Sequence, residues 1–133
     1  FLDRIDIQIE VARLPRGMWS KDEQKGESSE TIRARVVVCR DLQIARQGMP
    51  NAHLGSSEVR QYCKLSAKDN EFLELAVEKL GLSTRAHHKI LKIARTLADM
   101  EGITDISHSQ ITEALSYRAM DRILRHLTEA VKM

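Results

Sequence analysis

Residues 82–102 read LSTRAHHKILKIARTLADMEG, and neither glycine nor proline interrupts them between Ser83 and Gly102. Apolar side chains recur along this stretch at steps of three and four residues, at Ala86, Ile90, Ile93, Ala94 and Leu97. Such spacing is typical of a helix with one buried face. Serine favours the start of a helix and glycine its end. The stretch therefore predicts a long amphipathic helix that organises a mainly α-helical fold.

The same helix carries a cationic stripe, formed by Arg85, Lys89 and Lys92. Arg85 falls in the first turn, where the helix dipole is already positive and a cation is unfavourable. An arginine placed there suits an external anion better than it suits the helix. The alternative, on the residues alone, is that all three cations simply form a solvated face.

Composition indicates one soluble helical domain. The chain has 133 residues, 42% of them hydrophobic and 30% charged, with two prolines and six glycines, and these values are ordinary for a globular domain. A net charge of +2 is too small to argue nucleic-acid binding from electrostatics alone. Two cysteines are too few for a disulfide framework, and no apolar stretch approaches membrane-spanning length. We expect a cytoplasmic protein with reduced thiols and no membrane contact.

The N-terminal segment follows a different pattern. Residues 5–11, IDIQIEV, alternate apolar and polar side chains, which predicts a half-buried β-strand. A lone strand leaves its backbone groups unpaired, so we expect this orphan strand to belong to a sheet that lies outside the chain. Together with a first residue, Phe1, that is not methionine, this predicts a piece of a longer protein. Residues 14–27, with Pro15, two glycines and mixed charges, predict a linker.

Beyond the linker, serines and glycines divide the chain into helices. Ser28 or Ser29 can cap a helix to about Gln47 in which Ala34, Val38, Leu42 and Ala45 keep helical spacing. Capping-box patterns at residues 66–69 and 107–110 predict two more helix starts. We also predict a short helix over residues 56–62 and a last amphipathic one over residues 120–131.

No catalytic constellation stands out in the chain. Nucleotide-binding glycine loops are absent from the sequence, so the chain is not expected to be an enzyme by itself. The adjacent His87 and His88 diverge by about 100° on a helix and cannot share a metal. Cys39 and Cys63 lack a neighbouring base and read as buried apolar groups. No metal site is predicted.

Several segments, in order and spacing, resemble the ComM/YifB type of magnesium-chelatase-like AAA+ proteins over nearly the whole chain. The segments that carry the resemblance are Leu2 to Asp6, Ile9 to Val11, Gly26 to Ser29, Ile32-Arg33, Arg35-Val36, Gln43, Ala45 to Gly48, Asn51-Ala52, Leu80 to Ser83, Arg85-Ala86, Ile90-Leu91, Ala94 to Thr96, Ala98-Asp99, Glu113 to Leu115 and Tyr117-Arg118.

The resemblance implies a C-terminal fragment of an AAA+ protein. Residues 1–13 would end the ATPase core, residues 14–27 would be a linker, and residues 28–133 would form the helical lid. Arg4 matches the position of an arginine finger that acts in trans on the γ-phosphate of the neighbouring subunit, although it could instead pair with Asp3 or Asp6. Arg85 looks like the sensor-2 arginine, which contacts the γ-phosphate of ATP.

For the full-length parent, the resemblance implies an ATP- and Mg-dependent motor, a homo-oligomer expected to be hexameric, that acts as a DNA branch-migration helicase in natural transformation and recombination. The fragment alone is expected to bind neither ATP nor Mg, and its partner would be the upstream AAA+ core. Two alternatives stay open. One is the lid of a chelatase motor that inserts magnesium into a porphyrin, and the other is a non-catalytic helical module that binds DNA or protein through Lys89 and Lys92.

Overall fold

The structure is a computed structural model that describes residues 4–9, 11 and 26–118. It contains five α-helices among these residues: α1 (Ser29–Gln47), α2 (Ser56–Tyr62), α3 (Ala67–Leu80), α4 (Thr84–Glu101) and α5 (His108–Ser116). A 3-10 turn, Asn51–His53, lies between α1 and α2. The predicted mainly α-helical fold is confirmed. None of the described helices is both long and apolar enough to cross a membrane.

Capping residues set the helix boundaries at the predicted positions. The Ser28, Ser66 and Ser83 side chains each accept a hydrogen bond from a backbone N–H in the first turn of α1, α3 and α4. At the start of α5, the Gln110 side chain accepts from the backbone N–H of Ser107 at 2.7 Å. Left-handed glycines end three helices, with φ values of 79° at Gly48, 64° at Gly81 and 72° at Gly102. Residues with a Cβ adopt this conformation at a cost, so these glycines define where the helices stop.

Helix α4 is the centre of the bundle. It contacts α1, α2 and α5, while α3 packs against α5. The predicted apolar face of α4 is buried, and Ala86, Ile90, Ala94 and Ala98 have no exposed surface. Other helices and loops complete the core with Leu54, Val59, Cys63, Leu73, Ile106, Ile111 and Ala114.

Helix α1 forms where predicted but buries a different side. Ala34, Val38, Leu42 and Ala45, whose spacing predicted the helix, are all exposed. Its buried residues are Cys39 and Gln43. All residues from 26 to 38 are exposed, so only the second half of α1 contributes to the bundle.

The N-terminal segment differs from the predicted strand. Among residues 4–9 and 11, it makes one isolated parallel bridge, between Gln8 and Arg118. The polar Gln8 is buried, whereas Ile7 and Ile9 are 52% and 60% exposed. A strand needs a ladder of partners along its edge, and the described residues offer this segment a single bridge. Most of the predicted linker 14–27 and the predicted helix 120–131 lie outside the described residues.

Candidate functional site

Arg85 lies in the first turn of α4 with its side chain in solvent. Ser83, just before it, caps the helix by accepting a hydrogen bond from the Ala86 N–H at 3.1 Å. Within the described ranges, no hydrogen bond or ion pair joins Arg85 to another residue. The N-terminus of a helix attracts anions through its free N–H groups and its dipole. A permanently charged guanidinium at this position offers five further N–H donors. The geometry therefore suits a phosphate supplied from outside the described residues.

The segment that carries Arg4 is fastened to the bundle near α4. Asp6 forms an ion pair with Lys89, one helical turn after Arg85. Because Asp6 already pairs with Lys89 on α4, it is a less favourable partner for Arg4. Asp3 lies outside the described residues. Arg4 itself is exposed. The structure therefore places the segment that carries Arg4 in contact with α4, the helix that carries Arg85.

The cationic stripe of α4 is divided by these contacts. Lys89 pairs with Asp6, and the Lys92 ammonium donates to the Ala52 carbonyl at 3.3 Å. Both lysines are only partly exposed. Of the three predicted cations, Arg85 is the one left without an internal partner among the described residues.

A buried polar cluster joins α1 to α4 around Asp99, whose side chain is fully buried. Arg46 donates to both carboxylate oxygens, at 2.7 and 3.1 Å, and the Asn51 amide donates to Oδ2 at 3.0 Å. Arg95, one turn before Asp99 on α4, donates from Nε to Oδ1 at 3.2 Å. A carboxylate with two guanidinium partners and an amide satisfies the rule that buried charges must be paired.

Sequence reasoning missed the α1 side of this cluster. Gln43 accepts from the Asn51 N–H at 2.8 Å, and Asn51 also donates to the Thr96 hydroxyl at 2.9 Å. The signal that could have found it is the set of polar residues at positions 43, 46 and 47, which lie on neighbouring turns at the end of α1. Because its polar groups bond each other, the cluster is suited to holding α1 and α4 together and leaves no free acid or base for catalysis.

A cavity of about 620 Å³ opens between the N-terminal segment and α4. Its walls are mostly apolar, with Ile7 and Ile9 on one side and Ile93, Leu97 and Met100 on the other. Volumes of this size are typical of ligand pockets.

The thiols and histidines show no sign of catalytic activation. Burial raises the pKa of Cys39, with a smaller contribution from the Asp99 charge, and raises the pKa of Cys63 to about 11. Both thiols therefore stay protonated and unreactive. Burial lowers the pKa of His87, and the neighbouring His88 adds to the effect. In the described parts of the chain, no group of three or more His, Cys, Asp or Glu side chains could hold a metal ion.

Comparisons with known proteins agree with this architecture. Residues 26–118 match the family described as Magnesium chelatase, subunit ChlI C-terminal. The chain is 48% identical over 128 residues to the Competence protein ComM of Haemophilus influenzae and 46% identical over 127 residues to the uncharacterized protein YifB of Escherichia coli, in each case covering 96% of this chain. An uncharacterized protein of Mycobacterium tuberculosis is 30% identical over 122 residues, or 88% of the chain.

The chain spans about a quarter of the length of these relatives. The family match covers the whole described bundle from Gly26 through Arg118, and both ends of the α1–α4 polar cluster lie inside it. The protein therefore belongs to the magnesium chelatase C-terminal family, in a form closely similar to the corresponding part of ComM and YifB.

Proposed function

We propose that this chain is the lid of an ATP-hydrolysing AAA+ motor and that Arg85 acts as its sensor-2 residue, in contact with the γ-phosphate of ATP. The observation that carries the proposal is an exposed arginine in the first turn of α4 without an internal partner among the described residues. A planar, permanently charged guanidinium is well matched to a phosphate. Family membership supports the lid assignment, and the phosphate would be held by the upstream core.

Arg4 has the role of an arginine finger in the same proposal. It would reach the γ-phosphate bound by the neighbouring subunit, so the parent would work as a ring, expected to be a hexamer. ATP and Mg would bind in the full-length protein and not in this chain alone. Fingers in other NTPases accelerate hydrolysis by about 10³- to 10⁵-fold.

For the parent, the proposed activity is DNA branch migration during natural transformation and recombination, in the cytoplasm. Support comes from the 48% identity to a protein named for competence. DNA would then be the partner of the assembled ring.

The test is substitution of Arg85 in the full-length protein. Arg85→Ala should lower ATP turnover by about 10²-fold, the loss seen when one donor to a developing negative charge is removed. Folding should be unaffected because the side chain is exposed. Arg60→Ala removes an exposed arginine from α2 and should leave turnover unchanged. Equal turnover in wild-type and Arg85→Ala protein would remove Arg85 from the site, and measurable ATP hydrolysis by the isolated 133 residues would contradict the lid assignment.

A chelatase motor is the second candidate, because the matching family is described by that activity. It would use the same lid and the same two arginines to insert magnesium into a porphyrin. ATP-dependent magnesium insertion by the full-length protein, with no effect of DNA on its ATPase rate, would favour this reading over the DNA motor.

A free-standing DNA-binding module is less well supported. Lys89 and Lys92, the cations on which it depends, are engaged by Asp6 and by the Ala52 carbonyl. If the isolated chain bound DNA with an affinity that fell steeply with salt concentration, the result would support a free-standing DNA-binding module.

A further inference from the structure

Arg118, directly after α5, is the largest fully buried side chain among the described residues, with 2% of its surface exposed. Its guanidinium donates a hydrogen bond to the carbonyl oxygen of Ile5. The backbone N–H of Gln8 donates to the carbonyl of Tyr117 at 2.6 Å. The end of α5 therefore holds the N-terminal segment through a side chain at Ile5 and through the backbone at Gln8.

A second attachment connects the same segment to α4. Asp6, between the two α5 contacts, forms the ion pair with Lys89. Helices α4 and α5 pack closely on one another. Residues 5–8 are thus bound to two helices that already form one body. The Asp6–Lys89 pair is open to solvent at its Asp6 end and contributes less, whereas a buried guanidinium with a charge-assisted bond is a strong attachment. Arg118 is the principal anchor.

Arg4 directly precedes the attached segment, residues 5–8, and Arg85 lies one turn before Lys89 on α4. The segment that carries Arg4 and the helix that carries Arg85 are therefore joined by direct contacts. If α4 moves in response to the nucleotide at Arg85, these contacts would move Arg4 with it.

We infer that Arg118 is a positioning residue for Arg4: it couples the lid movement sensed by Arg85 at one nucleotide to the finger that the same subunit presents to its neighbour. This inference rests on the proposed function, since it needs Arg4 and Arg85 to contact phosphates on two sites. It goes further by naming the physical link between successive sites in the ring.

The first measurement tests the attachment of the N-terminal segment to α5 and does not depend on ATPase activity. In the full-length protein, hydrogen exchange at Gln8 should lose its protection when Arg118→Met removes the charged donor and keeps a long side chain. Arg118→Lys keeps a charge and should retain part of the protection. Lys92→Ala is the matched control, because it removes a cation three residues from Lys89 that contacts Ala52 and not the N-terminal segment. Unchanged exchange at Gln8 in Arg118→Met would overturn the anchoring role.

The second measurement uses mixed rings. Homogeneous Arg118→Met rings should hydrolyse ATP about 10²-fold more slowly with unchanged ATP affinity, because a small displacement of a catalytic group can cost that much. Mixing these subunits with subunits that are disabled in their own nucleotide pocket but carry an intact Arg4 should restore turnover per intact pocket. In such mixed rings, the intact pocket of an Arg118→Met subunit would receive a correctly placed Arg4 from the neighbouring pocket-disabled subunit.

The outcomes separate the inference from the proposed function. Normal turnover in homogeneous Arg4→Ala rings would refute the finger itself. Slow Arg4→Ala rings together with Arg118→Met rings that mixing does not rescue would refute the coupling role and leave the finger intact.

If Arg118→Met fails to fold, the Asp6–Lys89 pair supplies the second variant. Asp6→Lys and Lys89→Asp should each slow turnover, and their combination should restore it, because the exchanged charges can pair again. Failure of the double variant to recover would count against the coupling.

Discussion

Asp99 shows how one residue organises the α1–α4 interface. Its side chain has no exposed surface and accepts hydrogen bonds from Arg46, Arg95 and Asn51. Burial of a carboxylate is tolerated here because two guanidinium groups offset its charge. Removal of that one charge would leave both arginines without their common partner.

Asp99→Asn should therefore destabilise the protein by roughly 3–5 kcal/mol, the cost of leaving a buried partner charge uncompensated. Glu27→Gln provides the control, because it breaks the exposed Arg35–Glu27 pair, with side chains 53% and 51% exposed. Exposed pairs are worth at most about 1 kcal/mol. Urea unfolding followed by circular dichroism measures both changes. Similar losses in the two variants would show that the cluster does not hold α1 on α4.

His87 gives the protein a pH-dependent term in its stability. Burial, followed by the charge of His88, lowers its pKa below the ordinary 6.5, while Glu74 opposes the shift. Its Nε2 is buried without a hydrogen-bond partner among the described residues. The unfolded chain then binds a proton more readily than the folded chain. The stabilising contribution is complete above pH 6.5 and is lost as the pH falls toward the folded pKa.

His87→Gln should flatten the decline in the free energy of unfolding as the pH falls below about 6.5, because the variant has no imidazole to titrate at this position. His53→Gln, at an exposed position in the 3-10 turn, should leave the wild-type slope in place. Chemical denaturation at several pH values distinguishes the two. A slope in His87→Gln equal to that of the wild-type protein would contradict this assignment.

Among the elements, α1 and α4 have opposite relations to the core. Helix α4 buries a complete apolar face, whereas α1 exposes branched side chains along much of its length, at Ile32, Val36, Val37, Val38, Leu42 and Ile44. The polar cluster around Asp99 holds α1 in place together with Cys39, the buried apolar residue of this helix. The helical pattern of an element therefore does not by itself identify its buried side.

The element-scale prediction compares two aliphatic truncations. Leu73→Ala on α3, at a position with no exposed surface, should cost about 2–5 kcal/mol because it leaves a cavity. Val38→Ala on α1, where the side chain is 67% exposed, should stay within about 0.5 kcal/mol. Thermal unfolding of the two variants in parallel tests the assignment. A loss at Val38 as large as that at Leu73 would mean that α1 is covered in solution.

At the scale of the whole molecule, eight of the residues that carry the family resemblance form two structural groups. Gln43, Arg46, Asn51, Thr96 and Asp99 meet in the buried cluster that joins α1 to α4. A second group fastens the N-terminal segment to α4 and α5 through contacts of Ile5, Asp6 and Arg118. These eight residues hold parts of the protein together, while Arg85 belongs to neither group and is exposed.

Local patterns in the sequence were sufficient to determine the helices. The start of each helix has a capping side chain nearby, and α1, α3 and α4 end at a left-handed glycine, so a single stretch of chain contains most of this information. The same holds for the Arg95–Asp99 pair, whose partners are one turn apart. Arg85 could be chosen as a site residue on similar grounds, since its place in the first turn is a local fact.

Only the tertiary structure decided the rest, because those contacts join residues far apart in the chain. Arg46 contacts Asp99, and Arg118 contacts Ile5. Each pair is so far apart in the sequence that the spacing of residues along one helix or strand cannot predict the contact. The N-terminal alternation predicted inward-facing isoleucines, yet the single bridge available to the segment buries Gln8 instead. The sequence by itself determined the helices of the described bundle and the place of Arg85 in the first turn of α4, and tertiary packing determined which polar groups are buried and how the Arg4 segment is attached to the helices.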